Sequence, residues 1–219
     1  LQSAKAIEIV GKKFELAKLK RLKNMAIGKV KSKDIMKAIK ERRSVRAFDR
    51  SKKVSKAQIE AILEAGTLAP SARNTQPWVF YVAESAEAKA KIIECMSAHN
   101  QWAKESSALI VLMADKRNAY RAEEKRYYID IGLCLENMLL EVVNQGLGAC
   151  PCSAFDANAL AEKLVLPNHL EPLVIIPIGY EASGKVLEDV RSKYGQVVER
   201  ADHKIGGKRP LKECLLAWH

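Results

Sequence analysis

Within five residues, Arg42-Arg43-Ser44-Val45-Arg46 places three guanidinium groups and a hydroxyl close enough to hold one anion. Arginine presents several donors in a rigid plane that matches phosphate oxygens, so such a cluster is suited to gripping a phosphate ester. The same residues also fit a plainer role, the basic end of a short helix, where cations complement the carbonyl end of the dipole. Further on, the run from Leu68 through Pro70-Ser71-Ala72-Arg73-Asn74 to Pro77-Trp78 is polar and bracketed by prolines, which restrict their preceding residues to extended conformations. A long polar loop of this kind is a common place for a site. No protein nucleophile accompanies it. The four histidines (His99, His169, His203, His219) have no metal spacing, and no Ser/His/acid or Cys/His set carries a local signature. Cys150-Pro151-Cys152 resembles half of a metal site with nothing to complete it, so packed or partly exposed thiols are the simpler reading. Gly146-Leu147-Gly148 lacks the third glycine of a dinucleotide fingerprint, and there is no P-loop. A phosphate fork and a polar loop without a nucleophile imply a phosphate-bearing cofactor that performs the reaction itself.

The elements that must position these groups are legible from periodicity. Asp34 caps a predicted helix to about Arg43, with Ile35, Met36 and Ile39 inward. Ser55-Lys56-Ala57-Gln58 is a capping box for a second helix ending near Gly66, with Ile59, Ile62 and Leu63 as its buried stripe. Val79 to Ala83 follows as a strand, and Ser85 to Ala98 as an Ala-rich helix. The apolar run Ala108 to Ala114 predicts a strand covered on both faces. Glu123 to about Gln145 is the longest predicted helix, with Ile129, Leu133, Met138, Leu139, Val142 and Val143 inward and Gly146 as its stop. It is apolar around much of its circumference, as a central or interface helix would be. Leu147 to Cys150 and Leu173 to Ile178 are strand candidates, and Asp156 caps a helix to about Leu164. The segment 181–207 reads as polar and Gly-dotted.

The net charge is +11 over 219 residues, but residues 1–33 hold ten Lys/Arg against two Glu. That extension therefore accounts for +8, leaving about +3 for the 186 residues of the body, an ordinary balance for an enzyme. Spaced apolar residues (Val10, Phe14, Leu19, Leu22, Met25) make 1–33 a predicted helix that packs on its own protein or a partner; an acidic membrane or nucleic acid is the other use of such a helix. Five cysteines at irregular spacing argue against a secreted disulfide framework and for reduced thiols in a cytoplasm. No apolar run approaches the ~20 residues of a membrane span.

Arg42-Arg43-Ser44-Val45-Arg46-x-Phe48, Ala69-Pro70-Ser71-Ala72-x-Asn74-x-Gln76-Pro77-Trp78-x-Phe80 and Gly146-Leu147-Gly148-Ala149-Cys150, in that order, resemble the FMN-dependent nitroreductase family. The resemblance covers roughly residues 34–218 and leaves the basic extension outside. It implies an α+β fold, a central mostly antiparallel sheet flanked by helices, in an intertwined homodimer with FMN at the subunit interface. It implies contacts to the FMN phosphate and ribityl chain from Arg42, Ser44 and Arg46, with Arg43 adjacent. Pro70, Ser71, Ala72 and Asn74 match the stretch that reaches the flavin of the other subunit. Asn100 or Gln101 matches a family amide on the pyrimidine side of the ring. Pro151, Cys152, Ser153 and Ala154 match the backbone passing its reactive edge, and Lys208 and Arg209 a basic element that adds cation at the phosphate. Many members carry an acidic residue and a glycine where this chain has Ser153 and Ala154, so the pocket's electrostatics differ.

The activity implied is ping-pong hydride transfer: NADH or NADPH reduces the flavin at N5, and a small acceptor such as a nitroaromatic, quinone or enone then takes the electrons. Reductive dehalogenation and flavin breakdown occur on the same fold and stay open. A basic nucleic-acid or membrane-binding protein is the reading from a different class, and the charge split argues against it.

Overall fold

The computed structural model describes residues 32–195 and Cys214. The chain divides into two units, 1–36 and 37–219, and of the first only the start of one helix is described. The basic extension before Ser32 and Lys208-Arg209 thus lie outside the described residues.

Helix α1, Ser32–Glu41, begins and ends two residues before its predicted span. Its last turn closes with Arg42 N–H donating to the Ala38 carbonyl at 2.8 Å. Ala38 is the buried residue there, and Ile39, expected inside, is exposed. Ile35 and Met36 lie outside the described side chains. Helix α2, Lys56–Thr67, starts with the predicted capping box, Ser55 and Gln58 each accepting from the other's backbone N–H. Ile59 and Ile62 are buried as expected.

Four strands follow: β1 (Trp78–Ala83), β2 (Ala108–Asp115), β3 (Gly148–Ala149) and β4 (Leu170–Gly179). They form one sheet in the order β1-β2-β4-β3 with every neighbouring pair antiparallel. All eight residues of β2 are buried, as its unbroken apolar run predicts. Successive side chains of a strand point to opposite faces. Accordingly Ile110, Leu112 and Ala114 join a core with Ile59, Ile62, Ile131 and Met138, whereas Leu109, Val111 and Met113 join another with Ile92, Trp102, Leu160 and Ile175. The sheet is therefore covered by α2 and α4 (Tyr127–Asn144) on one face and by α3 (Ala86–Ile93) and α5 (Ala157–Lys163) on the other.

Helix α4 is the beam on which the rest is set. Gly66 of α2 lets the two helices approach: a Cβ there would sit 2.8 Å from Met138 Cγ and 3.0 Å from Cys134 Sγ. Its first turn comes four residues later than predicted, because Arg121 and Lys125 adopt left-handed conformations around a 3-10 turn at Ala122–Glu124. Gly146, at φ +69°, ends the helical path as expected. Met138, Leu139 and Val142 are buried as expected, but Ile129 and Leu133 face outward, exposed.

Two further expectations are corrected. The Ala-rich helix stops at Ile93 rather than Ala98, and a 3-10 stretch, Ala98–Glu105, takes over. Between them Gln101 donates its amide to the Ile93 and Met96 carbonyls at 3.2 and 3.4 Å, satisfying a helix end that would otherwise lack donors. The polar segment after Glu181 contains a helix, α6 (Gly184–Tyr194), held by the single buried residue Val190.

Candidate functional site

After Arg42, which closes the last turn of α1, residues 43–47 run on as an extended edge. Ser44 bridges Ala149 of β3 in parallel, with Val45 N–H donating to the Ala149 carbonyl at 3.0 Å. On its other side Ala182 N–H donates to the Ala47 carbonyl at 3.0 Å. Pinned in this way, the segment alternates: Val45 and Ala47 are buried, while Arg42, Ser44 and Arg46 are partly exposed. Gly148 is required opposite, since a Cβ there would meet three Val45 carbons at 2.8 Å. The plain reading as helix-dipole partners therefore fits Arg42 but not Arg43 or Arg46.

Arg43 pairs with Glu181. Arg42 also approaches Glu136 of α4, at 3.6 Å. Among the described residues Arg46 pairs with no carboxylate. Cys152, then the Arg46 charge, the Ser44 hydroxyl and the Arg42 charge, in that order, lower the Cys150 thiol pKa against its burial. Cys152 is pushed up, first by Cys150 and then by burial. A cavity of about 210 Å³ is lined by Arg42, Arg43 and Glu181 together with Leu139, Val142 and Leu147, and Ser44 and Arg46 lie outside its lining.

The Cys150–Ala154 stretch is held by Cys152, which exchanges two backbone bonds with Ile175 at 2.8 and 2.9 Å. Ser153 and Ala154 are exposed beyond it. The Ala154 carbonyl accepts from Ser97 N–H at 3.1 Å and from the Asn100 amide at 3.4 Å. Of the two candidate amides, Asn100 is thus the one joined to residues 151–154, while Gln101 serves the end of α3.

The loop Pro70–Asn74 is built separately. Arg73, Asn74 and Gln76 all have positive φ, 53°, 57° and 48°, a strained cluster for residues other than glycine. Asp130 of α4, buried, holds it by accepting from Ala72 N–H at 3.0 Å. Ser71 Oγ accepts from Gln76 N–H at 2.9 Å, and Arg73 stacks 4.6 Å over the Tyr120 ring. Asp130 and Glu136 are six residues apart on α4, about 9 Å along its axis. The loop and the fork are therefore attached to different stretches of one helix. Sequence reading missed Asp130; the available signal was a lone carboxylate among Tyr127, Tyr128, Ile129 and Ile131.

A single antiparallel sheet between helical layers, with an arginine edge on its last strand and a strained polar loop before its first, defines an α+β cofactor-binding class. The comparisons place it. A model described as the nitroreductase family matches residues 39–119 and 96–180, more than half of the chain, which belongs to that family. YdgI of Bacillus subtilis, assigned as an NAD(P)H nitroreductase, is 42% identical over 95 residues, 43% of this chain and 46% of that protein. Iodotyrosine deiodinase 1 of Mus musculus is 25% identical over 195 residues, covering 75% of this chain and 68% of the relative. A crystal structure from Desulfovibrio desulfuricans, assigned as a nitroreductase and in complex with FMN, superposes with a TM-score of 0.68 at 27% identity, covering 84% of this chain and 96% of that one. Among the described residues no helix is long and apolar enough to cross a membrane.

Proposed function

We propose that the chain binds FMN and acts as an NAD(P)H-dependent oxidoreductase on a small acceptor such as a nitroaromatic, quinone or enone. The observation that carries this is the pinned edge bearing Arg42, Ser44 and Arg46, on which Arg46 lacks a carboxylate among the described residues. A phosphate dianion there would give Arg46 a counter-charge, so the donor chemistry fits the group. Family membership and the FMN complex of the Desulfovibrio relative support the same ligand.

FMN, when bound, would supply the redox chemistry of a ping-pong exchange between NADH or NADPH and the acceptor. The residues supply position and charge. Arg42 and Arg46 neutralise the phosphate, Ser44 donates to it, and Arg43, through Glu181, fixes the edge. Lys208 and Arg209 would add cation from the C-terminal segment. The backbone of Pro151, Cys152, Ser153 and Ala154 runs past the reactive edge of the ring, with Gln101 or Asn100 nearby. Ser153 and Ala154 bring no charge of their own, so backbone N–H groups would steady developing negative charge there.

Pro70, Ser71, Ala72 and Asn74 would serve the flavin of a second copy in a homodimer. Two features support that arrangement: the loop and the fork meet different stretches of α4, and Ile129, Gly132 and Leu133 form an exposed, largely apolar stripe on the same helix. Unpaired cysteines support action in a reducing cytoplasm.

Purified protein should be yellow or take up added FMN, and either NADH or NADPH should bleach the flavin band anaerobically. A colourless preparation that refuses FMN would overturn the reading. A second reading, reductive dehalogenation, is favoured by the deiodinase relatives. Iodide release from an iodinated tyrosine by the reduced protein, without turnover of a nitroaromatic, would select it.

A further inference from the structure

A cleft of about 510 Å³ is lined by the turn at Arg50 and Lys53, by one side of α3, and by Lys104–Ser106 at the end of the 3-10 stretch. None of its lining residues has a part in the flavin reading. We infer that it is a second anion site, which takes a small organic phosphate with its phosphate among Lys53, Lys89 and Lys104 and its carbon part against Ala86, Ala90 and Ile93. This does not depend on FMN being bound.

The walls are fixed by contacts that need no ligand. Lys52 N–H closes the turn by donating to the Asp49 carbonyl at 3.1 Å, and Val54 N–H just beyond it donates to the buried Ser107 Oγ at 2.8 Å. Arg50 reaches across to Glu105, a buried carboxylate to which Tyr194 Oη also donates at 3.0 Å. Lys53 and Lys104 are therefore carried on two stretches of backbone that are tied together at two points. On α3, positions 86, 90 and 93 are spaced four and three apart and so share one side of the helix. The two alanines there are exposed and too small to fill that side, while Ile93 beside them is buried.

Charge selects the ligand. Both carboxylates that line the cleft are already met, Glu105 by Arg50 and Glu94 by Lys163, whose ammonium is 2.7 Å away and outside the lining. The three remaining ammonium groups pair with no carboxylate among the described residues. Lys89 donates to the Ser106 carbonyl at 2.6 Å, and Lys104 lies 5.8 Å over the Tyr194 ring, so these two engage neutral groups only. Burial, then the Lys53 charge, disfavours the Lys89 cation, against Glu105, and Arg50 adds to that repulsion; an anion among these groups relieves it. A monocarboxylate would leave most of this charge unmet, whereas a phosphate monoester carries about −1.5 to −2 at neutral pH. Lysine binds phosphate as a point charge, without the planar fork of arginine. The volume falls in the range of small-molecule pockets, roughly 300–1,000 Å³, and is more than a bare phosphate fills. Because Lys89 and Lys104 already serve neutral groups, the grip should be weaker than that of the 42–46 edge.

Calorimetric titration of n-hexyl phosphate and inorganic phosphate into the full chain, with FMN added to saturation, provides the test. The n-hexyl ester should bind at least about tenfold more tightly than inorganic phosphate, through its buried methylenes. Lys53→Ala and Lys104→Ala, both at exposed positions, should each weaken the ester about fivefold. Ala90→Leu, which fills the apolar side, should bring the ester down to the level of inorganic phosphate. Lys52→Ala should have no effect, since Lys52 pairs with Asp49 instead. Arg46→Ala should have none either, which keeps this result separate from the fate of the flavin reading. The inference would be overturned by no binding of the ester, by equal binding of inorganic phosphate, or by losses in Lys52→Ala or Arg46→Ala that match those in Lys53→Ala.

Discussion

Two basic regions of this molecule differ in what their charge is already doing. The larger is a cleft of about 510 Å³ that includes Arg50, Lys53, Lys89 and Lys104 along one side of α3. There Arg50 pairs with the buried Glu105, which also accepts from Tyr194 Oη at 3.0 Å. Lys89 donates to the Ser106 carbonyl at 2.6 Å, and Lys104 lies 5.8 Å over the Tyr194 ring. Burial, with Lys53 and Arg50 nearby, lowers the Lys89 pKa, against Glu105, which raises it. The smaller region, at 42–46, keeps Arg46 without a carboxylate among the described residues, beside Ser44 on the pinned edge. Cavity size and cation count favour the first region; availability of charge favours the second.

That contrast can be broken by substitution. Arg46→Ala should weaken FMN binding by about 1.5–3 kcal/mol, the range for a hydrogen bond to a charged group, and leave unfolding within about 0.5 kcal/mol of wild type. Lys53→Ala should change neither, by flavin fluorescence titration and urea melts. Gly148→Ala should cost about 1–3 kcal/mol of stability, because β3 must move off Val45 and carry the Ser44 edge with it. Unchanged stability there would mean the edge is not pinned as described. In the outer cleft Glu105→Ala should lower stability by about 1–2 kcal/mol through the lost Tyr194 bond while leaving FMN affinity alone, the reverse of Arg46→Ala. The smallest effect belongs to Glu181→Ala: its ion pair with Arg43 is half exposed and should contribute about 0–1 kcal/mol in the same melts.

What the sequence disclosed was short in range. The capping box at Ser55, the apolar run of β2 and the stop at Gly146 depend on neighbours a few residues away and appear where expected. The fork was visible for the same reason, although its backbone was assigned to the end of a helix. Its extended form depends on Ala149 and Ala182, more than a hundred residues downstream. Asp130 was missed because its task is to hold Ala72, 58 residues earlier. Ile129 and Leu133 were placed inside since periodicity marks an apolar face without saying what covers it. α6 escaped notice because a helix with one buried residue carries almost no apolar period.

The central claim is that the 42–46 edge grips a phosphate and does nothing else for the ligand. Titrating FMN and riboflavin, which lacks the phosphate, into wild type and Arg46→Ala measures this most directly. The account predicts that the substitution weakens FMN by roughly tenfold to a hundredfold or more and leaves riboflavin unchanged. Equal FMN affinity in the two proteins, or a parallel loss for riboflavin, would contradict it.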